Sequence, residues 1–172
     1  MDSHHDAHEI IREAVLADLP TLVHHRVAVF AEMGVLNANL APELARATGR
    51  YFTAAMTSGE YVAWVAAPRD RPSEIIAGAG MQIRVMLPKP DHVDRRIITL
   101  GPEGLIVNVY VEASARRRGV ARRLMECVLS WARDHGIHPI RLHASNEGRP
   151  LYAQLGFEQT NEMRLRARPV DD

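Results

Sequence analysis

Residues 115–125 read "ARRRGVARRLM", with five arginines broken by one glycine and a few small or aliphatic residues. Such a stretch can be a nucleic-acid patch, a solvated helix face, or a loop that holds phosphate. Its flanks discriminate between them. Upstream lies "EGLIVNVYV" (103–111), an apolar run rich in β-branched residues that reads as a strand. Downstream, Ala121, Leu124, Met125, Val128, Trp131 and Ala132 recur at helical spacing, and Gly136 marks the stop. The arginines therefore sit where a strand feeds a helix.

That position suits an anion. The first turn of a helix carries N–H groups without internal partners, and the macrodipole adds partial positive charge. A tight loop before it can wrap further amides around phosphate. Gly119 lets the backbone approach closely, and Ala121 is small enough not to block it. As a solvated face, the arginines would oppose the helix dipole unless an anion neutralised them. As a nucleic-acid patch, they lack interleaved aromatics and a net positive charge. Lys+Arg and Asp+Glu are equal at 21 each. The P-loop and dinucleotide glycine patterns are both missing. What remains is R-x-x-G-x-A, carried by Arg116, Gly119 and Ala121, a weak pattern on its own.

A chain of 172 residues, 47% hydrophobic, fits one domain with a proper core. The single cysteine, Cys127, excludes an intramolecular disulfide and fits a reducing compartment. No run approaches the ~20 apolar residues of a membrane span. The opening "MDSHHDAHE" has no signal-peptide core, so residues 1–8 are expected to form a disordered leader. His4, His5 and His8 have no further ligands at useful spacing, so no metal is expected. The expected location is the cytoplasm, with neither nucleic acid nor membrane as partner.

The other elements follow from periodicity and punctuation. Ile10 to Val15 reads as a strand. Asp18 stands at a helix N-cap position, Pro20 just inside the helix and Gly34 just past its end. Pro42 opens a second helix to about Thr57, ended by Ser58-Gly59. "EYVAWVAA" (60–67) and "EIIAGAGMQIRVM" (74–86) read as strands around the turn "PRDRPS". Gly78 and Gly80 suggest a bulge or a close backbone approach. "LPKPDHVDRRIITLGP" (87–102) reads as a long surface loop. "HPIRLHA" (138–144) is a strand, "EGRPLYAQLG" (147–156) a short helix, and "FEQTNEMRLRA" (157–167) a last strand. The order β-α-α-β-β-β-α-β-α-β makes a mixed α/β domain.

"NVYVEASARRRGVARRLMECVLSWARDHG" (108–136) resembles the acetyl-CoA-binding motif of the GNAT superfamily of acyltransferases. "LHASNEGRPLYAQLGFEQTNEMRL" (142–165) resembles the family's second half-motif: strand, Asn, short helix with Tyr, then Leu-Gly-Phe. The resemblance is strong from Leu105 to Leu165. "DLPTLVHHRVAVFAEMG" (18–34) is also similar to the first helix of many members. Ala121 stands where glycine is commoner, a departure the motif permits.

The resemblance implies one GNAT domain over residues 9–168. Its central sheet would be mixed, mostly antiparallel and of six to seven strands flanked by helices, with the fourth and fifth strands parallel and splayed. Acetyl-CoA would be the co-substrate. Backbone groups of Val109, Tyr110 and Val111 would take its pantetheine arm as an added strand. The loop opened by Arg116 would take the pyrophosphate on the amides of Arg117, Arg118, Gly119, Val120, Ala121 and Arg122. Asn146 would touch the arm near the thioester. Tyr152 would protonate the leaving thiolate, a task within reach of a phenol. Glu32, Asn108, Tyr110, Glu112 and His143 stay open as bases for the attacking amine. The acceptor, a small-molecule or peptide amine, is expected against residues 33–42 and the long loop. A GNAT-fold sensor that holds acyl-CoA without turnover is the rival reading, and homodimerisation stays open.

Overall fold

The computed structural model describes residues 9–90, 97–98, 101–163 and 165. The expected leader at 1–8, the middle of the long loop and the end of the expected last strand lie outside the described residues. In chain order the elements are β1 (Glu9–Glu13), α1 (Leu19–Glu32), α2 (Ala41–Ser58), β2 (Tyr61–Pro68), β3 (Ala77–Val85), β4 (Lys89–Pro90), β5 (Ile97–Ile98), β6 (Pro102–Val111), α3 (Val120–Asp134), β7 (Ile140–Leu142) and α4 (Arg149–Gln154). β1, β2, β3, β6 and β7 form one sheet in that order. Its pairings are antiparallel except β6 with β7, which are parallel. β4 and β5 form a separate two-stranded ribbon in the long loop.

The mixed sheet with parallel fourth and fifth strands is as expected. The number of strands is not: five in this sheet among the described residues, rather than six or seven. Phe157 to Met163, expected to open a last strand, carry no strand pairing. β7 pairs over three residues only and gives no ladder for them to extend. Met163 and Leu165 stand 94% and 95% exposed, so no buried face fixes their register either.

Both faces of the sheet are covered, so β2 is buried along most of its length instead of alternating. Ala63 and Val65 meet Leu22 of α1 and Phe52 and Ala55 of α2 in one cluster. Trp64 and Ala66 meet Leu124, Met125, Val128 and Ala132 of α3 in the other. Trp131 sets its ring edge-on to Trp64 at 5.2 Å. The apolar stripe of α3 is thus spent on packing, which leaves its N-terminus free to do chemistry.

Asp18 precedes α1 as expected, but its side chain does not cap the helix. Its carboxylate accepts from both Nη atoms of Arg12, at 2.7 and 2.8 Å, and from the Val15 amide at 2.8 Å. The guanidinium of Arg12 holds the carboxyl below its ordinary range. A bidentate partner on β1 outcompetes the helix amides and pins the strand to the start of α1.

Candidate active site

β6 and β7 touch only where Gly104, Leu105 and Ile106 lie beside Ile140, Arg141 and Leu142. Among the described residues, no strand lies beside the β6 edge on that side from Val107 onward. The ladder on its other edge is irregular, with a register shift opposite Gly78 and Gly80. Asn108 takes φ +62° at this break, the left-handed region that asparagine enters more readily than most residues. Such a bulge twists the strand and leaves backbone groups outside the ladder. Asn108 is locked there by its Nδ2, which donates to the Leu22 carbonyl of α1 at 3.3 Å. Val109, Tyr110 and Val111 follow, on the diverging part of the strand.

The arginine loop bridges β6 to α3. Arg117 and Gly119 both have left-handed backbone, at φ +61° and +76°. A Cβ on Gly119 would stand 3.1 Å from Arg123 Nη1. Left-handed residues just ahead of a helix N-terminus are a backbone arrangement that can turn successive amides towards an anion. Val120, Ala121 and Arg122 fill the first turn of that helix, where the amides have no intrahelical acceptor.

The five arginines divide by partner. Arg116 donates through Nη2 to Glu32 at 2.7 and 2.9 Å, and through Nε to the Val111 carbonyl at 2.9 Å. Arg122 reaches Gln154 of α4. Arg123 pairs with Glu9 and donates to the Arg118 carbonyl at 3.1 Å. Among the described residues, the side chains of Arg117 and Arg118 have no partner. Three arginines brace the loop and two remain exposed.

α4 follows β7 on the other side of the fork. Tyr152 packs its ring edge-on to Phe157 at 6.0 Å and against the α3-side core. Gly148 makes room for it, since a Cβ there would come within 2.8 Å of the ring. Burial pushes the Tyr152 phenol up, so it stays protonated. Among the described residues its hydroxyl has no partner. Asn146 lies exposed in the turn before α4, which Ser145 Oγ steadies by accepting from the Gly148 amide at 3.1 Å. The fork is therefore flanked by an amide cradle from one strand end and a protonated phenol from the other. Ligands of α/β sheets characteristically bind outside the strands' carboxyl ends where neighbours part.

The model of the acetyltransferase (GNAT) family matches residues 21–157. The chain belongs to the GNAT family. It is 28% identical to a GCN5-related N-acetyltransferase from Ralstonia eutropha JMP134, over 92% of this chain and 98% of that one, with a TM-score of 0.78. It is also 28% identical to a predicted acetyltransferase from Clostridium acetobutylicum whose crystal structure contains acetyl-CoA. That match covers 92% and 96% of the two chains, with a TM-score of 0.73. Glucosamine-6-phosphate N-acetyltransferase from Arabidopsis thaliana shares the fold, at 16% identity and a TM-score of 0.61, over 95% and 99% of the chains. Among curated proteins none matches.

Of the candidate bases of this GNAT domain, Glu32 and Tyr110 come together. Glu32 is engaged by Arg116 and accepts from the Tyr110 hydroxyl at 3.1 Å, and both hold its carboxyl low. Tyr110 is raised, by burial first. His143 stands exposed with Glu162 at 3.7 Å. Glu112 Oε1 lies 3.3 Å from His24 Nε2, on the α1 side. It is 3.6 Å from His25 Nε2, but that ring is fully buried and pushed down to about 4. A neutral imidazole at that distance is a packing contact, not an ion pair.

Sequence reasoning missed the hollow on the α1–α2 face. A cavity of about 270 Å³ lies there, walled by Arg26, Tyr51, Phe52, Tyr61, Gln82 and Val107 among others. It lies between α1, α2 and the sheet. A wider, open depression of about 800 Å³ lies between Leu19 and the Arg46, Arg50 and Thr53 side of α2, and no residue of β6 or β7 lines it. The one signal for the smaller cavity was Arg26, an arginine among the apolar residues of α1.

Proposed function

We propose that this GNAT protein is an acetyl-CoA-dependent N-acetyltransferase acting on a primary amine of a small molecule or peptide. The observation that carries the reading is the fork: a parallel strand pair that parts at a bulge, with a left-handed amide cradle at its mouth. Amides 117–122, with the side chains of Arg117 and Arg118, would hold the pyrophosphate. Arg116 sets the start of that loop through Glu32 and the Val111 carbonyl. The freed edge at Val109–Val111 would pair with the pantetheine arm, with Asn146 opposite. Acetyl-CoA supplies the thioester.

The chemistry is direct. The amine nitrogen attacks the thioester carbonyl carbon, a C–N bond forms, and the C–S bond breaks. Tyr152 gives its proton to the departing sulfur, the ammonium proton leaves to solvent, and solvent returns a proton to the phenolate. Cys127 needs no part in this: burial pushes its thiol up, away from the thiolate a nucleophile requires. Among the described residues no helix is long and apolar enough to cross a membrane, and no His, Cys, Asp and Glu cluster could hold a metal. With its one cysteine, the chain suits the cytoplasm.

Calorimetric titration with acetyl-CoA tests the reading. The wild type is expected to bind at micromolar concentration, and Gly119→Trp to lose binding, because its side chain strains the φ and fills the cradle. CoA thiol should then appear when an amine mixture is added. Absence of wild-type binding removes the reading, and binding without thiol release favours a sensor.

A further inference from the structure

We infer that the cavity between α1, α2 and the sheet is the acceptor site, and that it selects amines bearing a carboxylate. This rests on the acetyltransferase reading and adds a substrate class to it. Val107 lines the cavity and precedes the bulged Asn108 on the strand that would hold the cofactor arm. A molecule in the cavity therefore lies against the part of β6 where the thioester is expected.

The lining is built for an anion on an apolar body. Arg26 is half-buried, and no carboxylate among the described residues pairs with it. Its guanidinium lies 4.5 Å over the Phe30 ring, which orients it without neutralising it. Tyr61 is 1% exposed, and its hydroxyl has no partner among the described residues. A buried hydroxyl left this way costs free energy unless something meets it. Gly80 admits that hydroxyl, since a Cβ there would overlap it. Burial keeps the phenol protonated, so it is a donor. Tyr51 stands beside it, accepting from Gln82 Nε2 at 2.6 Å, and its own hydroxyl hydrogen is left to donate. Phe52 stacks on Tyr61 at 4.5 Å, and aromatic faces make the rest of the wall.

One guanidinium and two phenols match a single carboxylate. Arg meets it with a planar pair of N–H groups, and the phenols donate to its remaining lone pairs. A phosphate would bring a second charge that this lining does not neutralise. The volume, at about 270 Å³, suits a molecule the size of an amino acid.

The test measures CoA release from saturating acetyl-CoA with L-leucine, L-phenylalanine, β-alanine and 5-aminopentanoate, each against its own carboxamide. At least one acid is expected to exceed its amide about a hundredfold in kcat/KM, the scale of losing one partner of a buried charge pair. In the α-amino pairs the amide carries the more easily deprotonated amine, so basicity cannot produce that preference. Arg26→Gln should abolish the preference and leave acetyl-CoA binding by calorimetry unchanged. Tyr61→Phe, which keeps the ring, should reduce it. Amides used as well as acids, a preference that survives Arg26→Gln, or no acid acetylated by a protein that binds acetyl-CoA each overturns the inference and leaves the acetyltransferase reading standing. Failure of the wild type to bind acetyl-CoA overturns both.

Discussion

Arg116 Nη2 stands 2.7 Å from Glu32 Oε1, a contact across 84 residues that ties the start of the arginine loop to the end of α1. Both side chains are over two-fifths exposed, so solvent screens the pair and its coupling is small. A double-mutant cycle with Glu32→Gln and Arg116→Gln is expected to give about 1 kcal/mol or less by chemical denaturation. Acetyl-CoA affinity in Glu32→Gln should stay within about threefold of wild type, a change under 1 kcal/mol. A larger loss would mean that Glu32 shapes the cradle itself.

Arg117 and Arg118, which have no partner among the described residues, should behave differently. Replacing both with alanine is expected to weaken acetyl-CoA binding about tenfold at low salt, equivalent to ~1.4 kcal/mol. The fall of affinity with ionic strength should also become shallower, since exposed charges act through a screened field. Calorimetry at two salt concentrations reads both effects. An unchanged salt dependence would remove these side chains from the pyrophosphate site.

Tyr152→Phe keeps the ring that Phe157 and the core hold, and deletes only the hydroxyl. Its kcat is expected to fall about a hundredfold or more, within the range of a lost general acid. Acetyl-CoA affinity should hardly move. Burial raises the Tyr152 phenol, so any alkaline decline in kcat should lie above the ordinary tyrosine range and vanish in the variant. A variant with full kcat would leave Tyr152 a packing residue.

His25 makes an acid-sensitive core. Fully buried beside His24, Tyr110 and Glu112, it is pushed from 6.5 down to about 4, first by burial and then by His24. The unfolded chain binds the proton first, so stability should fall as pH drops from about 6.5 towards 4. The loss should reach about 3 kcal/mol, and His25→Leu should flatten that part of the profile. Denaturation midpoints across this window decide it. A slope equal in wild type and variant would assign the acid sensitivity elsewhere.

Much of the fold was legible because local rules agree with the tertiary answer. In α3 the stripe of Leu124, Met125, Val128 and Ala132 is fully buried, as its spacing required. The bulge expected at Gly78 and Gly80 is present, although its left-handed partner, Asn108, carried no separate mark. The expected last strand misled for the opposite reason. "FEQTNEMRLRA" has a strand's composition, but a strand exists by its ladder, and none is offered to Phe157–Met163.

The sequence by itself determined the turn between β6 and α3, because a glycine, a small residue and a helix start are neighbours in the chain. Gly119 takes its positive φ from the same local requirement that made it readable. Only the tertiary structure decided which arginines were free, since Glu32, Gln154 and Glu9 reach them from distant elements. It also decided the cavity. Arg26, Tyr51, Tyr61, Gln82 and Val107 come from two helices and three strands, and no periodicity in the chain records that they meet. A loop's conformation is a short-range property of backbone sterics, whereas a pocket is the space that long-range packing leaves unfilled.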